Sequence, residues 1–152
     1  MHIMKEQSNL IQILNSRGTP KSWQYCFNAT CPMKEDCLRF ITGTHLPKDR
    51  LFGPAIYPTA IIHGQCQFFK QAKVIKGAWG FKSILHDVKA KDIAALRQAI
   101  KNFVGSNGSY YKYNNGQRLL TPEQQATIIQ ICKAHNYHEN LTFDHYVDCI
   151  DF

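Results

Sequence analysis

Three cysteines fall within twelve residues, Cys26-Phe27-Asn28-Ala29-Thr30-Cys31-Pro32-Met33-Lys34-Glu35-Asp36-Cys37, in a chain of 152. This cluster constrains the fold more than any apolar pattern does, because zinc asks for four thiolate or imidazole ligands in a tetrahedron, at least two of them held together by one loop. Cys26-x4-Cys31 is a long knuckle spacing and Cys37 follows after five intervening residues, so three ligands are local and the fourth must return from afar. Cys66 is the expected fourth ligand, since it follows a glycine in His63-Gly64-Gln65-Cys66, where a turning backbone can approach the other three. His63 and His45 are the substitutes. Zinc is the first reading of this set. An iron-sulfur cluster would use the same four thiolates, and without metal they would be reduced thiols packing as small apolar groups. Cys132 and Cys149, expected in the last two helices, are read in that last way.

The compartment follows from the other end of the same argument. Met1 to Leu10 contains no apolar h-region and no small-residue cleavage site of a secretory signal, so a cytoplasmic location is expected. In a reducing compartment six cysteines are better explained by metal or packing than by disulfides. Apolar residues make up 44% and charged residues 19%, with no run long and apolar enough to span a bilayer, which excludes a disordered chain and predicts no membrane partner. A chain of this length fits one domain, residues 1–152, and can bury a core without staples.

Periodicity gives the expected elements. Ile3, Leu10, Ile11 and Leu14 make one face of a helix over 3–15, closed by Gly18-Thr19-Pro20. Pro32 is placed to open a short helix to Ile41, stopped at Gly43. The stretch 44–60 holds Pro47, Gly53, Pro54 and Pro58 and reads as an extended connector. Ala60-Ile61-Ile62 and Lys73-Val74-Ile75 read as short strands. Ile93, Leu96, Ile100 and Phe103 predict a helix over 92–104, capped by Gly105. Tyr110 to Leu120 reads as a β-hairpin turning at Asn114-Asn115-Gly116. Thr121, Pro122 and Gln124 predict a capping box for a helix closed by Asn136, and Thr142 would cap a last helix over Phe143 to Ile150. The fold class expected is α+β, with four or five helices, a small antiparallel sheet, and an N-terminal third fastened to the body by the metal.

Charge points to a second region. The net charge is +7, but Gln65 to Arg118 holds ten Lys and Arg against Asp87 and Asp92, a net +8, while Tyr137 to Phe152 contains four acidic residues and no Lys or Arg. A basic segment suits an anionic partner. Lys112 and Arg118 interleave with Tyr110, Tyr111 and Tyr113, the combination of cations and π faces that a single-stranded nucleic-acid surface uses, and the preceding helix adds Arg97 and Lys101. The alternative is that these tyrosines alternate between core and solvent. His135, His138, Asp144, His145 and Asp148 crowd the C-terminal segment in no metal-site spacing and read as a solvated surface. No Walker loop, dinucleotide fingerprint, His-Glu-x-x-His or nucleophile elbow occurs, so no enzyme is indicated.

Cys26, Cys31, Cys37-Leu38-Arg39 and Cys66, followed by Tyr110-Tyr111-Lys112-Tyr113, Gly116, Arg118, Leu120-Thr121-Pro122-Glu123-Gln124-Gln125 and Phe143-Asp144, carry a resemblance over most of the chain. With these residues it resembles an uncharacterised family of small bacterial proteins with clustered N-terminal cysteines and a tyrosine-rich C-terminal region. The resemblance implies a single-domain architecture and no particular activity. The function expected is therefore a zinc-stabilised, non-enzymatic nucleic-acid-binding module, with an iron-sulfur or thiol redox protein and a protein-interaction adaptor as the alternatives.

Overall fold

The computed structural model describes residues 2–152, with side chains from Met4 onward; Ile3, expected on the first helix's apolar stripe, lies outside the described side chains. The fold is mixed α/β, with six α-helices and three two-stranded sheets among the described residues. The chain gathers into two compact units, one comprising residues up to Val74 with Cys149–Phe152, the other Ile75–Asp148.

In the first unit, helix α1 (His2–Arg17) buries Leu10 and Leu14. Strand β1 (Tyr25–Cys26) pairs in parallel with β2 (Ala55–Ile56), Cys26 opposite Ile56. A 3-10 turn over Lys34–Asp36 leads into α2 (Leu38–Thr44). The opening helix expected from Pro32 to Ile41 is thus split at Cys37, which is extended (φ −91°, ψ 115°) and stands at the head of α2. Gly43 does not stop that helix. It lies buried inside it, where an added Cβ would overlap the Cys26 carbonyl, so its lack of a side chain lets α2 pack directly on β1. The connector carries β2 and a second 3-10 turn, Pro58–Ala60, before β3 (Ile61–Ile62) and β4 (Gln65–Cys66) form an antiparallel hairpin. Its two turn residues, His63 (φ 51°) and Gly64 (φ 75°), both adopt the positive φ that a tight type I′ turn demands. Leu10, Leu14, Trp23, Tyr25, Leu38 and Ile150 form the core of this unit. Its one buried polar side chain among the described residues, Thr42, accepts from Trp23 Nε1 at 3.0 Å and donates to the Leu38 carbonyl at 2.8 Å, so neither group is stranded.

Strand β5 (Val74–Trp79), which enters the second unit at Ile75, pairs with β6 (His145–Ile150), which leaves it after Asp148. Between them run α3 (Lys82–Leu85), α4 (Ala90–Val104), α5 (Asn107–Asn114) and α6 (Pro122–Ala134). Phe81, Leu96, Ile100, Leu120, Ile128 and Cys132 are among its most deeply buried residues. Helix α6 has the expected capping box, Thr121 Oγ1 accepting from Gln124 N–H and Gln124 Oε1 from Thr121 N–H, and Asn136 beyond it is left-handed (φ 67°).

Two elements differ in kind from the sequence reading. The expected hairpin over Tyr110 to Leu120 is instead α5 followed by a short link. Ser106 caps α5, its Oγ accepting from Ser109 N–H at 3.0 Å, and the Asn-Asn-Gly run ends the helix with Gly116 at φ 81°. The tyrosines follow helical spacing: Tyr110 and Tyr113, three apart, turn toward the core, and Tyr111 turns to solvent. The expected last helix over Phe143 to Ile150 is instead strand β6. Phe143, Tyr146, Val147 and Ile150 fit a helical stripe, but a segment rich in aromatic and β-branched residues with β5 beside it forms a strand.

Candidate metal centre and basic face

Three of the four thiols picked out by spacing stand at the end or head of an element of the first unit, and the fourth lies in a turn. Cys26 closes β1, Cys31 sits in the turn after it, Cys37 heads α2, and Cys66 closes the β3–β4 hairpin. The turn is held by Asn28, whose carbonyl accepts from Cys31 N–H at 3.2 Å while its side-chain oxygen accepts from the Thr30 N–H and hydroxyl. Cys37 pairs with Gln71 in an isolated bridge, and Leu38 N–H donates to the Lys70 carbonyl at 2.6 Å, which draws the chain just beyond Cys66 against the head of α2.

The result is convergence. Cys26, Cys31, Cys37 and Cys66 line one cavity of about 20 Å³, and all four carry free thiols. Space of this size admits a single water-sized occupant. Its remaining walls are mostly apolar, including Phe40, Ile56, Ile61 and Phe69. The two charged residues on its lining, Lys34 and Arg39, are both cationic. Among the described residues no three Cys, His, Asp or Glu are gathered tightly enough to grip an ion as they stand. Neither substitute belongs to this lining. His45 directs Nδ1 to the Ile41 carbonyl at 2.8 Å at the end of α2, and His63 occupies the exposed hairpin turn.

The other two cysteines are buried elsewhere. Cys132 is fully enclosed in the core of the second unit, where burial pushes its thiol above the ordinary value. Cys149 lies in β6, not in a helix.

In the second unit, α4 and α5 bring together four of the seven residues expected to contact nucleic acid. Lys101 Nζ stands 5.4 Å from the Tyr110 ring centroid and 5.9 Å from that of Tyr111, and Arg97 faces the Tyr110 hydroxyl. Tyr110 is core: it is 4% exposed, its ring stacks on Phe81 at 4.7 Å, and burial raises its hydroxyl despite the Arg97 charge. Tyr113 is half-buried, its hydroxyl accepting from Gln124 Nε2 at 3.5 Å. Only Tyr111, 59% exposed, presents a broad open ring among these three. Lys112 and Arg118 are exposed and are joined through backbone, Arg118 N–H donating to the Lys112 carbonyl.

The C-terminal polar crowd is dispersed into separate tasks. His135 directs Nδ1 to the Ile131 carbonyl at the end of α6, His145 stacks on Trp79 at 4.0 Å, and Asp148 pairs with Lys76 at 2.5 Å. Asp144 accepts from the Lys82 and Ser83 N–H groups at the head of α3. Burial works to raise its carboxyl, but the hydrogen bonds from Ser83 and Lys82 outweigh it and leave Asp144 below the ordinary value. Sequence reasoning placed Asp144 on a solvated surface and missed this role, because its partners lie 61 and 62 positions away.

Comparison with curated proteins and with solved structures finds no match to this chain. A family model does match, over residues 4–152, and the chain therefore belongs to DUF6078, a family of unknown function.

Proposed function

We propose that this protein is a small metal-binding protein whose N-terminal unit is held by a structural zinc on Cys26, Cys31, Cys37 and Cys66. The observation that carries the reading is that four thiols from separate segments line one small cavity. Four protein thiolates satisfy a closed structural zinc site, leaving no position for substrate. Two cationic neighbours suit the resulting centre, since one Zn²⁺ and four thiolates sum to −2. An iron-sulfur cluster on the same four ligands is the alternative. The experiment is metal analysis of protein purified without chelator. One zinc per chain in colourless protein supports the reading, visible absorbance after anaerobic purification turns it to the cluster, and protein free of metal in zinc-supplemented culture removes both.

The zinc leaves the partner unspecified, and the α4–α5 face supports nucleic acid as that partner in the cytoplasm. The favouring observation is the exposed Tyr111 ring beside Lys101, a stacking surface next to a cation, with Arg97 against the neighbouring Tyr110. In this role Tyr110 and Tyr113 support the face from within, while Lys112 and Arg118 extend its charge. A mobility shift that weakens with salt is expected; unchanged migration of single- and double-stranded probes at low salt would leave a protein-interaction adaptor as the better reading.

A further inference from the structure

The four candidate ligands come from segments that the sequence scatters from Cys26 to Cys66, and protein contacts as well as a metal can hold such segments together. One side chain touches three of these segments at once. Arg39, two residues after Cys37, donates from Nε to the carbonyl of Phe68 at 2.8 Å and from Nη1 to the carbonyl of Gln24 at 3.0 Å. Gln24 lies two residues before Cys26 and Phe68 two residues after Cys66. The same guanidinium stacks over Trp23, its Cζ 4.3 Å from the ring centroid, which fixes the plane of the fork against the core of the unit. Arg39 also lines the thiol cavity itself.

We propose that Arg39 is the positioning residue of the metal centre, joining the strand of Cys26, the helix of Cys37 and the hairpin of Cys66 through two backbone carbonyls. The inference rests on the zinc reading above and goes beyond it by assigning the group that ties the ligand-bearing segments to one another. A guanidinium is needed here because its planar fork donates in two directions from one rigid group. A lysine ammonium on a flexible stem would keep the charge but would not hold both carbonyls in the same geometry. Arg39 also places a positive charge beside a centre of net charge −2, and outer-shell groups of this kind tune ligand orientation and metal affinity. Cys31 is outside this clamp; its turn is closed locally by Asn28 and by Lys34, whose Nζ donates to the Ala29 carbonyl at 3.0 Å.

The test uses the full chain, with zinc affinity read by competition against a chromophoric chelator and ligand geometry read from the visible spectrum of the cobalt(II)-loaded protein. Wild type should take one ion with the absorption of tetrahedral thiolate coordination. Arg39→Met should weaken zinc binding by roughly 10- to 100-fold, with a cobalt spectrum altered from wild type. Arg39→Lys, which retains the charge and long stem, should fall between them and covers the case in which the methionine variant fails to fold. Wild-type zinc affinity and an unchanged cobalt spectrum in a folded Arg39→Met or Arg39→Lys protein would overturn the role of Arg39 while leaving the zinc site standing. Failure of wild type itself to bind either ion would overturn the site, and the positioning role with it.

Discussion

The backbone of Gly43 in α2 lies against the Cys26 carbonyl so closely that a single added carbon would overlap it. The contact sets how near the ligand-bearing strand β1 comes to the helix that begins at Cys37. The neighbouring atom is backbone, so it cannot swing aside as a flexible side chain would. Gly43→Ala is therefore expected to cost about 1–3 kcal/mol, the range for forcing extra volume into a packed site. It should also weaken zinc binding, because the same displacement moves Cys26. Chemical denaturation and chelator competition on one preparation check both, and an alanine variant with unchanged stability would show that β1 can shift freely.

The cysteines should divide sharply by location. Cys66→Ser is expected to remove stoichiometric zinc from the purified protein, whereas Cys132→Ser, in the other unit, should keep it. A ligand that binds only the folded protein stabilises it by mass action. Adding chelator should accordingly lower the melting temperature of wild type and of Cys132→Ser, and leave that of Cys66→Ser unmoved. Metal analysis and thermal melts with and without chelator measure this, and retention of one zinc by Cys66→Ser would take the fourth ligand away from Cys66.

Asp144 predicts a pH dependence. Its carboxylate accepts the Lys82 and Ser83 N–H groups, and its folded value is depressed below the ordinary one. A depressed carboxylate contributes stability that is present above its unfolded value and is lost as pH falls through the folded value. Asp144→Ala should cost about 0.5–2 kcal/mol near neutral pH, as for loss of a helix cap. The difference between wild type and variant should shrink as the medium is acidified below the ordinary aspartate value. Denaturation midpoints at neutral and acidic pH test this; a difference that grows in acid would mean the sign is wrong.

Legibility in the sequence tracked how local each determinant is. The capping box of α6 is written in four consecutive residues, Thr121 to Gln124, and the structure has it in full. Cys26, Cys31, Cys37 and Cys66, singled out as ligands by spacing and by the glycine before Cys66, line one cavity. The tyrosine segment failed because Tyr110-Tyr111-Lys112-Tyr113 has high strand propensity, whereas the deciding features were the Ser106 cap and the burial of Tyr110 on Phe81. The last segment failed in the opposite sense: Phe143, Tyr146, Val147 and Ile150 share helical spacing, but the neighbouring β5 decides the state. Arg39 and Asp144 carry no local signal of what they do. Their partners are backbone groups 15, 29, 61 and 62 positions away, and any residue type can supply a backbone group.

The two adjacent tyrosines of α5 separate folding from binding. Tyr110 is 4% exposed and stacked on Phe81, so Tyr110→Ala removes a buried ring and should destabilise the protein by about 3–5 kcal/mol, the cost of deleting a core aromatic. Tyr111 is 59% exposed, and Tyr111→Ala should change stability by no more than about 0.5 kcal/mol. If the α4–α5 face takes single-stranded nucleic acid, loss of the Tyr111 ring should weaken binding by about 1–3 kcal/mol, the contribution of one stacked base. Lys101→Gln should weaken it too and reduce its salt dependence, since that substitution removes a cation near the ring. Fluorescence anisotropy with a labelled oligonucleotide across a salt series reads all three variants against wild type. Wild-type affinity in Tyr111→Ala, with the fold intact, would show that any nucleic acid binds elsewhere.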